Sequence, residues 1–409
     1  MKNRSHSTRI CVVGALLAGA ATLFFGCRHG GGETGPESVP GAPAARRDPL
    51  PLPRPVRAVW VARYHFHTPE DVRAIIANCA AIGCNTVLWQ VRGEGTVCYP
   101  SRIEPWGSEF GFRDPGFDPL ALAVDEAHKR GLRIEAWFNV MPGWHGPATP
   151  PIPNQLYNAH PEWFLHDAAG RQQPLGDFYV ILNPCWPEVR RHIVSLVDEI
   201  VARYDVDGVH MDYVRYAWDG VPKAKQSYPR DERTLALYWH DTGKRPDDDP
   251  AGWNHWRANQ LTRIVVDIRQ AINRRRPGAT LTAAVWRNPM LGYADFLQNS
   301  VVWLRSGIVD ALMPMAYTEK LDQFEADIGV YRQLVRSRRI VPGLGLYLHK
   351  SESQTRNQLR LCRNWGGDYA LFSYESLCPT AGDRKTRPSA EAQRLRELRR
   401  EALGEMFAR

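Results

Sequence analysis

Cysteine is scarce in this 409-residue chain, eight residues in all, and widely scattered, which excludes a small disulfide-stapled framework. No Gly-x-Ser-x-Gly elbow occurs, and that argues against a serine esterase. His210 has no second histidine or carboxylate at ligand spacing on a neighbouring strand end. It is expected to be a hydrogen-bonded structural histidine, so no metal and no cofactor are required. Helix-turn-helix, zinc-finger and other nucleic-acid signatures are missing as well, so no nucleic-acid partner is expected. The net charge of +8 is spread over the chain. Its densest basic runs, Arg274–Arg276, Arg336–Arg339 and Arg394–Arg400, lie on or beside predicted helices, where a solvated face accounts for them.

Long apolar runs are equally rare. Cys11–Phe25 carries no charge but is too short for a comfortable membrane span. Lys2, Arg4 and Arg9 precede it and Gly26-Cys27 closes it. Those three parts make residues 1–26 a lipoprotein signal peptide, with Cys27 as the lipid-modified residue of an exported, membrane-anchored protein of the bacterial cell envelope. The alternative is an N-terminal anchor helix that is never cleaved. Residues 27–55 are rich in Gly, Pro, Ala and Arg; they cannot bury a core and are expected to form a tether. Residues 56–409 remain for a single large domain. Of its six cysteines, Cys79 and Cys84 suit buried free thiols, while Cys98 and Cys185 fall in loops.

From residue 56 onward a β-branched or aromatic run, a loop and an amphipathic stretch recur eight times. The strand runs are Val56–Arg63, Thr86–Arg92, Leu132–Asn139, Gly208–Tyr213, Thr280–Trp286, Ala311–Tyr317, Val341–Leu348 and Tyr369–Glu375. Strict alternation requires a parallel sheet, and eight units require closure into a (β/α)₈ TIM barrel. Long loops, about 140–186 and 217–253, follow the third and fourth strands, on the face where barrel enzymes build active sites. They hold Trp144, Trp163, Trp186, Trp218, Trp239 and Trp253, six of the chain's 14 tryptophans. Such rings serve equally as stacking surfaces for sugars or as local cores for the loops.

Side chains alternate along a strand. Leu132, Ile134, Ala136 and Phe138 are apolar and belong against the helices, which sends Arg133, Glu135, Trp137 and Asn139 inward. The same parity puts His210 and Asp212 in the lumen, with Gln90 and Arg92 from the second strand. A polar ring therefore converges on the C-terminal mouth: Arg63, Arg92, Glu94, Asn139, Asp212, Arg287, Tyr317 and Glu375. Buried charge without a task is costly, and a carboxylate cluster there suits glycoside hydrolysis, in which one acid protonates the leaving oxygen and a second acts as base or nucleophile. Asp212, Glu94 and Glu375 are the candidate catalytic acids; Glu135 lies deeper, as a supporting partner. Arg63, Arg92, Trp137, Asn139, Trp286, Arg287 and Tyr317 are the candidate substrate contacts. For Asp212 the competing role is a structural ion pair with Arg215 or Arg92.

The segments RAVWVAR (57–63), GCNTVLWQVRGEGTVCYPS (83–101), FDPLALAVDEAHKRGLRIEAWFN (117–139), LNPCWPEVRRHI (182–193), VDGVHMDYVRY (206–216), VWRN (285–288) and LFSYESL (371–377) together resemble the glycosyl hydrolase-like 10 family. These are exported barrel proteins that include lipoproteins. The resemblance carries the family's strand-four acid onto Asp212, its acid after strand two onto Glu94, and its Trp-Arg-Asn onto Trp286, Arg287 and Asn288. Tyr213 stands where many members have a second acid, and Glu135, Asn183 and Gly93 stand where histidine, aspartate and proline are usual. The family implies bacterial cell-wall glycan as substrate, peptidoglycan strands above all. A carbohydrate-binding protein on a barrel without catalysis is the rival reading.

Overall fold

Odd and even positions of Arg133–Asn139 differ so sharply in polarity that one face of this strand has to meet the helices and the other the barrel axis. The computed structural model, which describes residues 47–217, 224–335 and 339–407, has that arrangement. The signal-peptide and Cys27 assignments, Trp218 and most of the Arg336–Arg339 run lie outside the described residues. Ile134, Ala136 and Phe138 join the layer between strands and helices, while Trp137 joins a lumen cluster with Trp60, Leu88, Ala284, Met313 and Ala370.

In chain order the strands are β1 (Arg57–Val61), β2 (Thr86–Arg92), β3 (Arg133–Asn139), β4 (Pro142–Gly146), β5 (Gly176–Ile181), β6 (Gly208–Asp212), β7 (Thr280–Trp286), β8 (Ala311–Met315), β9 (Arg339–Ile340), β10 (Gly343–Gly345) and β11 (Tyr369–Phe372). The parallel sheet runs β1, β2, β3, β6, β7, β8, then β10 and β11, and β11 pairs back to β1, so eight strands close the barrel. The expected seventh strand is split. Pro342, which has no N–H to donate, separates β9 from β10, and a 3₁₀ turn, Leu346–Leu348, replaces its upper end.

Helices Pro69–Ala81, Pro119–Lys129, Pro187–Arg203 and Pro250–Arg275 follow the first four barrel strands. Pro289–Phe296 with Ser300–Arg305, Leu321–Leu334, Glu352–Asn364 and Ala390–Phe407 follow the rest. Five of these helical segments open on proline, whose fixed φ and missing N–H suit the first helical turn. Among the described residues no helix is long and apolar enough to cross a membrane, and all six described cysteines are buried free thiols.

Two features position the site. Within the first long loop, β4 pairs antiparallel with β5, setting His145 against Tyr179. The second long loop carries the helix Glu232–Thr242 and is tied to the end of the first, since Asp231 accepts from Asn183 at 3.1 Å. At the opposite end of the barrel, residues 47–55, expected as the end of a tether, lie against the barrel as a strap. Leu50 N–H donates to Asp207 at 2.6 Å, the Leu50 carbonyl accepts from Arg133, and Arg276 donates to the Arg47 carbonyl at 2.8 Å.

Candidate active site

Asp212 ends β6, and its register partner on β3 is Asn139. The next residue, Tyr213, has φ 53°, in the left-handed region that non-glycine residues seldom occupy. That turn aims the Tyr213 N–H at Asp212 Oδ1, 2.6 Å away. Arg215 reaches the same oxygen at 3.5 Å, its guanidinium lying 3.9 Å from the centre of the Tyr213 ring. Only 5% of Asp212 is exposed. Burial pushes its carboxyl above the usual aspartate range, against the opposing pull of Arg215 and the Tyr213 N–H.

Two lumen groups beside this carboxylate lack well-formed hydrogen bonds within the described chain: Asn139 Oδ1 and the Trp137 indole N–H. A buried acceptor and a buried donor left open cost stability unless something else satisfies them. Around them stands an aromatic wall. Tyr317 stacks on Phe372 with ring centres 5.1 Å apart, Trp60 meets both rings edge-on, and half-exposed Tyr347 lies 6.1 Å from Tyr317. Gly345 makes this possible, because a Cβ there would sit 2.7 Å from Tyr317 Cβ. Trp286 lies beside Arg215, whose guanidinium is 5.6 Å from its ring.

Glu94, just past β2, pairs with buried Arg63, and Arg63 pairs in turn with Glu109. Gly93 lets the guanidinium approach, since a Cβ there would lie 2.5 Å from Arg63 Cζ. Burial and then the charge of Glu109 push the Glu94 carboxyl up, opposing the effect of Arg63 and Arg92. Tyr179 of β5 bridges the two carboxylate environments. It lies in the fields of Arg63, Glu94 and Asp212 and sets its ring edge-on to Tyr213 at 4.8 Å.

The structure therefore brings Asp212, Asn139, Trp137, Tyr317, Trp286, Arg63 and Glu94 to one mouth. Three other expected residues point elsewhere. Arg92 follows a register shift at Gln90 that breaks the parity; its guanidinium is fully buried, pairs with Glu104 at 2.8 Å and donates to the Asn139, Val140 and Pro142 carbonyls, so it braces the top of β2 and β3. Arg287 turns outward to Asp327, 3.2 Å away. Glu375 was expected on strand parity, but β11 stops at Phe372 and a 3₁₀ turn, Tyr374–Ser376, carries it off. Its side chain is 55% exposed and faces His65 at 3.5 Å, which lowers its carboxyl pKa.

His210 and Glu135 form a buried chain in the lumen. Trp60 donates to His210 Nε2 at 3.0 Å, so Nδ1 carries the ring proton and faces Thr282 Oγ1 at 2.8 Å. Thr282 bonds Glu135, which pairs with Arg133 at 2.7 Å. Burial pulls the His210 pKa down to about 3, keeping the ring neutral. Both of its nitrogens are thus engaged within the fold, and among the described residues no His/Cys/Asp/Glu group is placed to hold a metal ion. Of the loop tryptophans, Trp144, Trp186 and Trp253 are buried in local cores, Trp163 stacks on His160 at 4.0 Å, and Trp239 is exposed. Sequence reasoning missed Tyr179, Glu109 and Tyr347; the Gly176–Ile181 run was the available signal for the first.

The chain's residues 55–358 match the model of the family described as glycosyl hydrolase-like 10. It is 29% identical to "Glycosyl hydrolase DigH" of Escherichia coli K12 over 352 aligned positions, 74% of each chain. To "Glycosyl hydrolase YngK" of Bacillus subtilis 168 it is 28% identical over 297 positions, covering 64% of this chain and 54% of that one. Among solved structures, the PgaB (BpsB) glycoside hydrolase domain of Bordetella bronchiseptica matches with TM-score 0.57 and 16% identity over 84% of this chain and 98% of that one. Alpha-L-fucosidase isoenzyme 2 of Paenibacillus thiaminolyticus matches with TM-score 0.59 and 16% identity over 87% of this chain, which spans 49% of that longer protein. The structural likenesses establish the barrel fold, and the match of residues 55–358 places this chain in the glycosyl hydrolase-like 10 family.

Proposed function

We propose that the protein hydrolyses glycosidic bonds of an extracellular polysaccharide, peptidoglycan glycan strands above all, with Asp212 and Glu94 as its catalytic carboxylates. The observation that carries this reading is the Asp212 mouth. A buried carboxyl with a raised pKa stands beside an unpaired acceptor and donor, Asn139 and Trp137, under a wall of aromatic rings. Raised carboxyl pKa values suit proton transfer near neutral pH, and open polar groups with ring faces suit a sugar's hydroxyls and apolar faces. In such a site one carboxyl protonates the leaving oxygen and the other acts as base or nucleophile. Family membership supports the reaction class, and the family resemblance together with the export signal favours cell-wall glycan. In the same reading, Cys27 carries the lipid that holds the protein to a membrane.

Binding without cleavage is the competing reading, favoured by the ion pair that holds Glu94 to Arg63. Release of reducing ends from purified glycan strands tests both. Asp212→Asn keeps the shape of the side chain but can neither transfer a proton nor act as nucleophile. It is expected to lower the rate by about 10²–10⁴-fold with the fold intact. Wild-type protein that binds the strands yet never releases reducing ends would decide for binding alone.

A further inference from the structure

One guanidinium serves two buried carboxylates at this mouth. Arg63, in the turn after β1, donates from Nε to Glu109 Oε1 and from Nη2 to Glu94 Oε2. All three side chains are buried, Glu109 to 1% exposure. Glu109 arrives on a short 3₁₀ turn, Ser108–Phe110. Its approach is fixed by main-chain bonds from the Val97 N–H to the Pro105 carbonyl and from the Gly107 N–H to the Val97 carbonyl, both 2.9 Å. Gly107 has no side chain to occupy the space that Glu109 Oε2 fills. That oxygen is buried with no hydrogen-bond partner among the described residues, so within them Arg63 alone holds the Glu109 carboxyl. Glu94 is fixed from the other side, where Gln155 donates to its carbonyl at 2.9 Å.

The geometry points to Glu109 as a positioning residue that takes Nε of Arg63, leaves Glu94 a shared counter-ion, and so equips Glu94 to be the proton donor of the reaction proposed above. One positive charge cannot neutralise two carboxylates, and in a buried setting that deficit disfavours the second negative charge. Asp212 has a cation of its own in Arg215, 3.5 Å away, which leaves it the base or nucleophile role. The inference rests on the glycosidase reading for its catalytic meaning and on the two ion pairs for its electrostatics. The titratable and charged groups facing Glu94 are Arg63 and Tyr64 after β1, Arg92 of β2, Cys98 and Glu109 of the loop beyond it, and Tyr179 of β5. Those facing Glu109 are Arg63, Tyr64, His67, Glu94 and Cys98. Of the two cations beside Glu94, Arg92 is committed to Glu104 at 2.8 Å, so Arg63 is the one that is divided. Burial, opposed by Arg63 and reinforced by Glu109, holds the Glu94 carboxyl above the usual glutamate range. Removing the Glu109 charge leaves Arg63 to Glu94 alone and lowers it.

The test compares the full-length wild type with Glu109→Gln, whose amide oxygen still accepts from Arg63, and with Glu109→Ala, which frees Arg63 outright. The carboxyl of Glu94 is titrated by ¹³C NMR, assigned with Glu94→Gln, and pH profiles of kcat/KM are measured on glycan strands. The wild-type Glu94 midpoint is expected above that of free glutamate, about 4.3. In either variant it should fall by about one pH unit or more. The basic limb of the profile, which follows the proton donor of the free enzyme, should move down with it, so that one unit above the wild-type limb kcat/KM falls about tenfold while KM stays within about twofold. A merely structural Glu109 would lower the melting temperature and leave midpoint and limb in place, and that result overturns the proposal. So does a wild-type Glu94 midpoint no higher than that of free glutamate, which needs no variant to fold, and so does movement of the acid limb in place of the basic one. If the wild type cleaves no glycan, the kinetic arm sinks the glycosidase reading, while the NMR midpoints still decide whether Glu109 governs Glu94.

Discussion

Replacing Asp212 with asparagine should stabilise the protein while abolishing its chemistry. The folded state raises the Asp212 pKa because burial outweighs Arg215 and the Tyr213 N–H. Below the unfolded pKa of about 3.8, both states are protonated and aspartate costs nothing. From there up to the raised folded pKa the unfolded state ionises while the buried carboxyl stays protonated, so the penalty accumulates across that window and is constant above it. Asparagine mimics the protonated acid at every pH, so its advantage is absent below about pH 3.8 and grows upward until the folded carboxyl ionises. Each unit of displacement is worth about 1.4 kcal/mol. A domain of roughly 350 residues has an unfolding entropy on the order of 0.7 kcal/mol/K, so each unit should raise Tm by about 2 °C. Calorimetry of both proteins from pH 4.5 to 7.5 measures this directly. An asparagine variant that melts lower at pH 7, or by a margin independent of pH, would refute the reasoning and make the Arg215 pair the dominant stabilising interaction.

Glu94→Gln should lose hydrolytic rate comparably to Asp212→Asn, whereas Glu375→Gln, whose side chain faces His65, should lose less than about tenfold; reducing-end release separates them. Glu135→Ala strands buried Arg133 and should cost about 3–5 kcal/mol, read as a lower midpoint in urea; an unchanged midpoint would mean the pair is dispensable. Cys27→Ser should abolish incorporation of a radiolabelled fatty acid, and retained labelling would remove the lipoprotein assignment.

The barrel was legible because its strands obey two independent rules at once. In β3, Ile134, Ala136 and Phe138 alternate with Arg133, Glu135 and Trp137, and five helical segments announce themselves with an initial proline. Asp212 was legible for the same reason, since parity holds to the last residue of β6. Parity failed where backbone geometry departs from the ideal strand. A register shift turned Arg92 aside, and the end of β11 at Phe372 released Glu375. Tyr179 was hidden by a different cause. The pairing of β4 with β5 joins segments some thirty residues apart within a loop, and alternation within either one says nothing about its partner. Of the five described loop tryptophans, equally suited to two roles, Trp144, Trp186 and Trp253 fill local cores; Tyr317, Phe372 and Trp60 of the aromatic wall lie instead on barrel strands or just past their ends.

The strap at the foot of the barrel fixes one end of the strand whose other end carries Asp212. Leu50 is fastened to Asp207, immediately before β6, and Asp212 ends the same strand. The five residue steps from Asp207 to Asp212 span roughly 17 Å along the barrel wall. Residues 47–50 thus clasp the foot of the barrel through Asp205, Asp207, Arg133 and Arg276, at the end of β6 remote from the mouth.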